Sequence, residues 1–185
     1  NEAKILNELV PENTKDEKFY RYLPRVFKSF KIPQPGGPRQ MNVLPFLEGY
    51  HSLQEIKEAY PDGLVLEDLV WMFNRMLEGI GFPHSKGFLH GAILPPHVMI
   101  HPARHAARFV DWSYATKLNG KITAICPQFE DFYPPEVLNK NRAEAATDIF
   151  MIAKCVRYLA GAIKLPGYVD RFLASCLLLA QSRRP

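Results

Sequence analysis

The stretch AATDIFMIAKCVRYLA, Ala145 to Ala160, is apolar on nearly every side. A helix with that pattern has no face to give to solvent, so it must be surrounded by other elements. It is not a membrane span: the longest apolar run, Ile149 to Ile163, is interrupted by Lys154 and Arg157. The enclosure must therefore come from the protein itself. With 185 residues the chain is long enough to supply it as one domain with a sizeable core.

The remaining elements follow from periodicity and punctuation. Asn1 to Val10 reads as a helix with Ile5, Leu6 and Leu9 on one face. Pro11 to Lys18 reads as a polar connection. Val26-Phe27-Lys28-Ser29-Phe30 alternates in the manner of a strand. PQPGGP, Pro33 to Pro38, turns the chain into a second strand at Met41 to Leu44, giving a hairpin. Ser52 precedes a short helix to Tyr60, with Glu55 at the capping-box spacing. Leu66, Leu69, Val70, Phe73, Leu77 and Ile80 mark an amphipathic helix over Glu67 to Phe82. Short strands follow around Val98-Met99-Ile100 and Arg108-Phe109-Val110. Trp112 to Tyr133 has little periodicity beyond a tight turn at Asn119-Gly120. Tyr168 to Leu179 is a final amphipathic helix. A helix, a hairpin and then mostly helices make an α+β fold with a largely helical second half.

Composition excludes several classes of function. At 47% hydrophobic and 23% charged residues the chain reads as a soluble globular domain. Its net charge of +4 is mild and its Lys and Arg are dispersed, which argues against nucleic acid as a partner. Cys126, Cys155 and Cys176 are odd in number and contain no C-x-x-C, against a disulfide framework or a zinc site. That usage fits a reducing cytoplasm. No signal peptide or membrane span is visible, so no membrane partner is expected. The chain enters its first helix immediately and without Met, which implies a longer protein upstream.

The chemistry centres on HGAILPPHVMI, His90 to Ile100, and on FVDWSYA, Phe109 to Ala115. Together they have the form of a catalytic loop without its carboxylate. Over nearly its whole length the chain resembles the protein-kinase family. The family's H-R-D-L-K-P-E-N loop and D-F-G turn correspond to H-G-A-I-L-P-P-H and D-W-S here. YPPEV matches the end of an activation segment, with Glu136 in the A-P-E position. AATDIFMIAKCVRYL resembles the family's buried F-helix, with Asp148 as its N-terminal aspartate. The chain ends SRRP, where the family has an arginine that pairs with the A-P-E glutamate. The resemblance thus predicts an ion pair between Glu136 and Arg184, with Arg183 as second choice. NEAKILNEL resembles the C-helix, with Glu2 as the glutamate that pairs with a lysine upstream.

The resemblance implies a kinase-like fold. Residues 1–47 would be a remnant of the N-lobe, with C-helix, two strands and hinge, and residues 48–185 the mostly helical C-lobe. It also implies a stack of Leu6, Val26, His90 and Trp112 anchored by Asp148. His90 takes a structural role on this reading.

The departures decide the expected function. Ala92 stands where the family has its base, so no residue is assigned a catalytic role. Loss of a general base costs on the order of 10²–10⁴ in rate. Leu94 replaces the lysine that steadies the transferring phosphate, and Gly91 replaces an arginine. His97 stands for the magnesium-binding asparagine, although imidazole suits softer ions. His97 and Asp111 are the candidate metal ligands, and Asp111 equally suits a turn-capping role. The resemblance assigns nucleotide contacts to Leu44, Pro45, Leu47, Met99 and Glu2. The Pro45 carbonyl and the Leu47 N–H would meet adenine, and Met99 would form its floor. Ordinary core explains these apolar positions equally well. The implied cofactors are ATP and Mg²⁺, or none. The expected function is a pseudokinase that binds an unidentified protein partner, with nucleotide as a modulator. The alternative is an active, atypical ATP-dependent protein phosphotransferase whose base comes from Glu130 or Asp131. A small-molecule kinase of the aminoglycoside type is disfavoured by YPPE and the terminal Arg-Pro.

Overall fold

The computed structural model describes residues 2–185. Helix α1 (Glu2–Glu8) buries Ile5 and Leu6, and Leu9 follows them into the core. Asn1, assigned to that helix from the sequence, lies outside the described residues. Helix α2 (Thr14–Tyr20) replaces the expected polar connection. Its local cause is Asn13, whose side chain accepts from the Asp16 N–H at 3.0 Å and caps the first turn. None of its residues is fully buried.

Strands β1 (Lys28–Ile32) and β2 (Arg39–Val43) form the expected antiparallel hairpin. Its first strand starts two residues later than the alternation suggests, and neither strand contains a buried residue. Phe27, just before it, is 69% exposed. Strand β3 (His51–Ser52) leads into α3 (Leu53–Ala59) through the expected capping box. Ser52 Oγ accepts from the Glu55 N–H at 3.1 Å, and the Glu55 carboxylate accepts from the Ser52 N–H at 2.7 Å.

Helix α4 (Leu66–Ser85) is three residues longer at its C-terminal end than the periodicity suggests. Phe82 stacks on Phe19 of α2 with ring centroids 6.2 Å apart, and Lys86 pairs with Asp16 at 2.8 Å. These contacts hold α2 in place. At Gly79 a Cβ would lie 2.7 Å from the Tyr22 ring and 2.8 Å from the Phe109 ring, so only glycine permits this approach. Strand β4 (Phe88–Leu89) pairs with β7 (Thr116–Lys117). Strand β5 (Val98–His101) is central in a three-stranded antiparallel sheet, between β3 and β6 (Ala106–Phe109). The chain closes with α5 (Pro135–Leu138), α6 (Ala145–Ala160) and α7 (Gly167–Cys176). The architecture is α+β, with small antiparallel sheets.

As its composition demands, α6 is enclosed. Helices α3, α4 and α7 pack on it, with 3-10 segments Pro127–Phe132 and Gln181–Arg183. Ten of its sixteen residues are buried. Arg157 reaches the edge and pairs with Asp170 of α7 at 2.6 Å. Helix α7 ends at Cys176, short of Leu179, and the carbonyls beyond it turn to another task. Arg184 donates from Nε to the Leu178 carbonyl at 2.6 Å and from Nη2 to the Leu179 carbonyl at 3.1 Å. The same guanidinium grips Glu136 of α5 in two bonds, of 2.5 and 3.0 Å. Thr147 donates to Glu136 at 2.9 Å, and both ion-pair partners are buried. Among the described residues all three cysteines are free, and no helix is long and apolar enough to cross a membrane.

The pair ties the segment before α6 to the chain end. Removing one partner of a buried ion pair costs about 3–5 kcal/mol, because the other is left desolvated and unpaired. Arg184→Met should destabilise the protein by that amount in urea unfolding. Arg184→Met combined with Glu136→Gln should cost less than Arg184→Met alone, since no buried charge then remains.

Candidate functional site

The site is built around one carboxylate. Asp148, in the first turn of α6, has no solvent exposure. It accepts from the His90 N–H at 2.9 Å and from the Gly91 N–H at 3.0 Å. His84, in the last turn of α4, brings Nε2 within 2.9 Å. Burial would raise the Asp148 pKa. The hydrogen bond and charge of His84 and the Gly91 amide outweigh it and hold the group below the usual carboxylate range. His84 is a member of the site that sequence reasoning missed. Its only local signal is a histidine in the last turn of a helix, where a partly positive group is favoured.

His90 is fully buried. Its Nε2–H donates to the Val110 carbonyl at 3.0 Å, while Nδ1 accepts from the Ala92 N–H at 3.3 Å. One neutral tautomer serves both bonds. Desolvation pushes its pKa down to about 4, so it is uncharged at neutral pH. The ring lies edge-on to Trp112 at 4.6 Å. Helix α1, which buries Leu6, packs on the turn at Trp112–Tyr114. Val26 is half-buried against the same core. His90 and Trp112, of the expected stack, are thus in direct contact, with Asp148 beneath His90.

The loop beyond His90 is core. Ala92 and Leu94 are each 0% exposed, as is Ile93 between them. The Cys155 thiol of α6 donates to the Ile93 carbonyl at 3.6 Å, and its own burial raises its pKa. Gly91 has φ +75°, and a Cβ there would come within 2.9 Å of the Tyr114 carbonyl oxygen. An arginine at this position would be strained by both conditions. The glycine and the path of the backbone go together.

Asp111 adopts φ +59° and accepts from both the Ser113 N–H, at 3.4 Å, and the Ser113 hydroxyl. This is the turn-capping arrangement. Its other contact is His97 Nε2 at 3.3 Å. His97 also donates from Nδ1 to the Ala92 carbonyl at 2.9 Å. Both ring nitrogens thus face oxygen acceptors. The two candidate metal ligands do come together, but they face each other. Mg²⁺ takes oxygen ligands, often one or two carboxylates plus phosphates. Asp111 supplies one carboxylate and His97 supplies no oxygen. No group of three or more His, Cys, Asp or Glu among the described residues could hold a metal ion. The pair does not fit a two-ligand Mg²⁺ site.

Glu2 bridges three elements. One oxygen accepts from the Trp112 N–H at 3.1 Å, and the other from Asn42 Nδ2 of β2 at 2.8 Å. Leu44, Pro45 and Leu47 are half-buried between β2 and β3, and Met99 is half-buried on β5 opposite Ser52. The Pro45 carbonyl and the Leu47 N–H have no protein partner among the described residues. Leu47 lines a cavity of about 550 Å³ with His101, Arg104 and Arg108, which the sequence did not single out. Glu130 and Asp131 are exposed on the Pro127–Phe132 segment.

Two measurements test this geometry. His90 has an ordinary pKa of 6.5 when unfolded and about 4 in the fold. The unfolded chain therefore binds more protons between those values, and stability falls as pH drops through that window. The loss from pH 7 to pH 5 should be about 2 kcal/mol, at 1.36 kcal/mol per pKa unit. His90→Phe should flatten the profile in that range. Separately, Ala92→Asp places a carboxyl where no solvent reaches, and should lower stability by at least about 2 kcal/mol in urea unfolding.

No protein-family model matches the chain. A segment of 106 aligned residues is 27% identical to casein kinase II subunit alpha' of Saccharomyces cerevisiae, covering 50% of this chain and 31% of the yeast protein. The match thus spans about a third of that relative's length. It is a partial likeness to a protein kinase subunit.

Proposed function

We propose that the protein is a kinase-like domain that binds rather than catalyses: a pseudokinase serving as a protein-binding or nucleotide-sensing module. On this reading residues 1–47 are the remnant of an N-lobe and residues 48–185 a C-lobe. The observation that carries it is the complete burial of Ala92 and Leu94. Phosphoryl transfer to a hydroxyl needs a carboxylate to orient the nucleophile and groups to balance the phosphate's charge. At those two positions this chain has hydrocarbon inside its core. The partial likeness to a casein kinase II subunit supports the relationship. The Arg184–Glu136 pair and the Asp148 bonds to the loop preserve the scaffold on which such a site would stand.

The nucleotide half of the proposal rests on the unpartnered Pro45 carbonyl and Leu47 N–H, with Met99 on β5, opposite Ser52 of β3. Glu2 contributes by holding α1 to Trp112 and Asn42. Any Mg²⁺ brought by the nucleotide would have Asp111 as its protein ligand, in competition with His97. The alternative, an active phosphotransferase, draws on the partial exposure of Asp111 and on the exposed Glu130 and Asp131.

The test is a thermal-shift and phosphate-transfer assay on the same preparation. Transfer from ATP to a protein hydroxyl should be undetectable, with any nucleotide-induced melting shift small in Mg²⁺. His97→Asn, which frees Asp111 and offers an amide oxygen, should enlarge the Mg²⁺-dependent shift. Robust transfer by the unaltered protein, lost in Asp111→Ala, would overturn the reading.

A further inference from the structure

A cavity of about 600 Å³ lies between α1 and the segment that follows Asp111. Three ammonium groups line it: Lys4 of α1, Lys117 of β7 and Lys121 of the next loop. Glu8 is the one carboxylate in the lining, so the wall carries three positive charges against one negative, a net +2. Among the described residues none of these lysines has a carboxylate within ion-pair distance. Their charges stand uncompensated around one concave surface.

The backbone that presents them is fixed. The Gly120 N–H closes the turn onto the Lys117 carbonyl at 2.9 Å. Asn119 and Gly120 exchange bonds of 2.8 Å with Ala143 on the facing strand of chain. Lys117 lies 5.8 Å from the Phe88 ring centroid. Such pre-setting lowers the ordering cost of holding a ligand. Neutral donors accompany the charges. Thr116 and Thr123 bring hydroxyls to the lining, and the backbone N–H groups of Lys121, Thr123 and Ala124 donate to no protein acceptor. Lysine binds phosphate as a point charge, and backbone N–H groups complete such sites. One orthophosphate would occupy a small part of a cavity of this size, which falls in the range that holds small organic ligands.

We propose that this cavity is a binding site for a small organic polyphosphate, an anion with two or more phosphoryl groups, held by Lys4, Lys117 and Lys121. It is separate from the Leu44–Leu47 region and does not rest on nucleotide binding there. The probe is inorganic tripolyphosphate, which has no base to occupy an adenine site.

Calorimetric titration should show tripolyphosphate binding at least about tenfold tighter than orthophosphate, and weakening steeply from low to moderate salt as the charges are screened. Lys4→Gln, Lys117→Gln and Lys121→Gln should each weaken binding several-fold, and the triple variant should abolish it. All three side chains are exposed, so the variants should keep their circular-dichroism spectrum and melting temperature; were the triple variant to misfold, the single variants decide. Lys31→Gln, an exposed cation on β1, should leave binding unchanged. Binding by the triple variant as tight as by the unaltered protein would overturn the proposal. So would an equal loss in Lys31→Gln, which would mean general charge attraction. Equal affinity for orthophosphate, or tighter binding of a singly phosphorylated peptide, would overturn the assignment to a small polyphosphate.

Discussion

The carboxylate of Asp148 holds the molecule's two halves of chemistry together. It lies at the start of the most enclosed helix, so its position is fixed by the core itself. From there it fixes the backbone at His90 and Gly91, and through His90 the contact with Trp112. Trp112 in turn hands an N–H to Glu2, which reaches the β1–β2 hairpin through Asn42. One chain of hydrogen bonds and ring contacts thus runs from α6 to the exposed hairpin. A buried charge of this kind is tolerated only when it is hydrogen-bonded or paired; each of its oxygens has a partner, and His84 supplies the third contact.

What lies around that anchor is hydrocarbon. Ala92 and Leu94 join Ile93 in a continuous run of buried residues against α6. A carboxylate and an ammonium in those places would each need water or a ligand; alanine and leucine need neither. Gly91 completes the packing in the backbone. Its left-handed conformation carries the chain against the Tyr114 carbonyl, in space that a side chain would otherwise claim. The side chains and the backbone are mutually consistent, and together they make a packed loop.

The His97–Asp111 contact extends this pattern toward solvent. Asp111 meets a partner from within the chain, an imidazole steadied by the Ala92 carbonyl. The hairpin is the opposite case. Phe27 and Phe46 are 69% and 91% exposed, and the strands bury neither face. A two-stranded hairpin is marginal by itself in water, so its tie through Asn42 to Glu2 carries unusual weight. The protein is therefore closed and internally satisfied around α6 and open at the hairpin.

Much of this was legible in the residues alone. The all-round apolar pattern of Ala145–Ala160 required an enclosed helix, and α6 has the predicted bounds. Ser52 and Glu55 announced a capping box, since capping is decided within four residues. The pairing of Glu136 with Arg184 followed from likeness to a family, and local chemistry would not have found it. Tertiary structure decided the rest. Helix α2 is short and buries none of its residues; it exists because Phe82 and Lys86, more than sixty residues away, hold Phe19 and Asp16. The hairpin's strands alternate as half-buried strands do, yet none of the described residues covers them, because alternation records a capacity for burial and says nothing about what arrives to use it. Ala92 read as a lost function; only the fold shows that its methyl group is part of the core. The sequence offers His97 and Asp111 as ligands of one ion, and that they face each other depends on a backbone turn at φ +59°. Periodicity and capping are fixed by neighbours along the chain, whereas burial, charge pairing and backbone strain are fixed by neighbours in space.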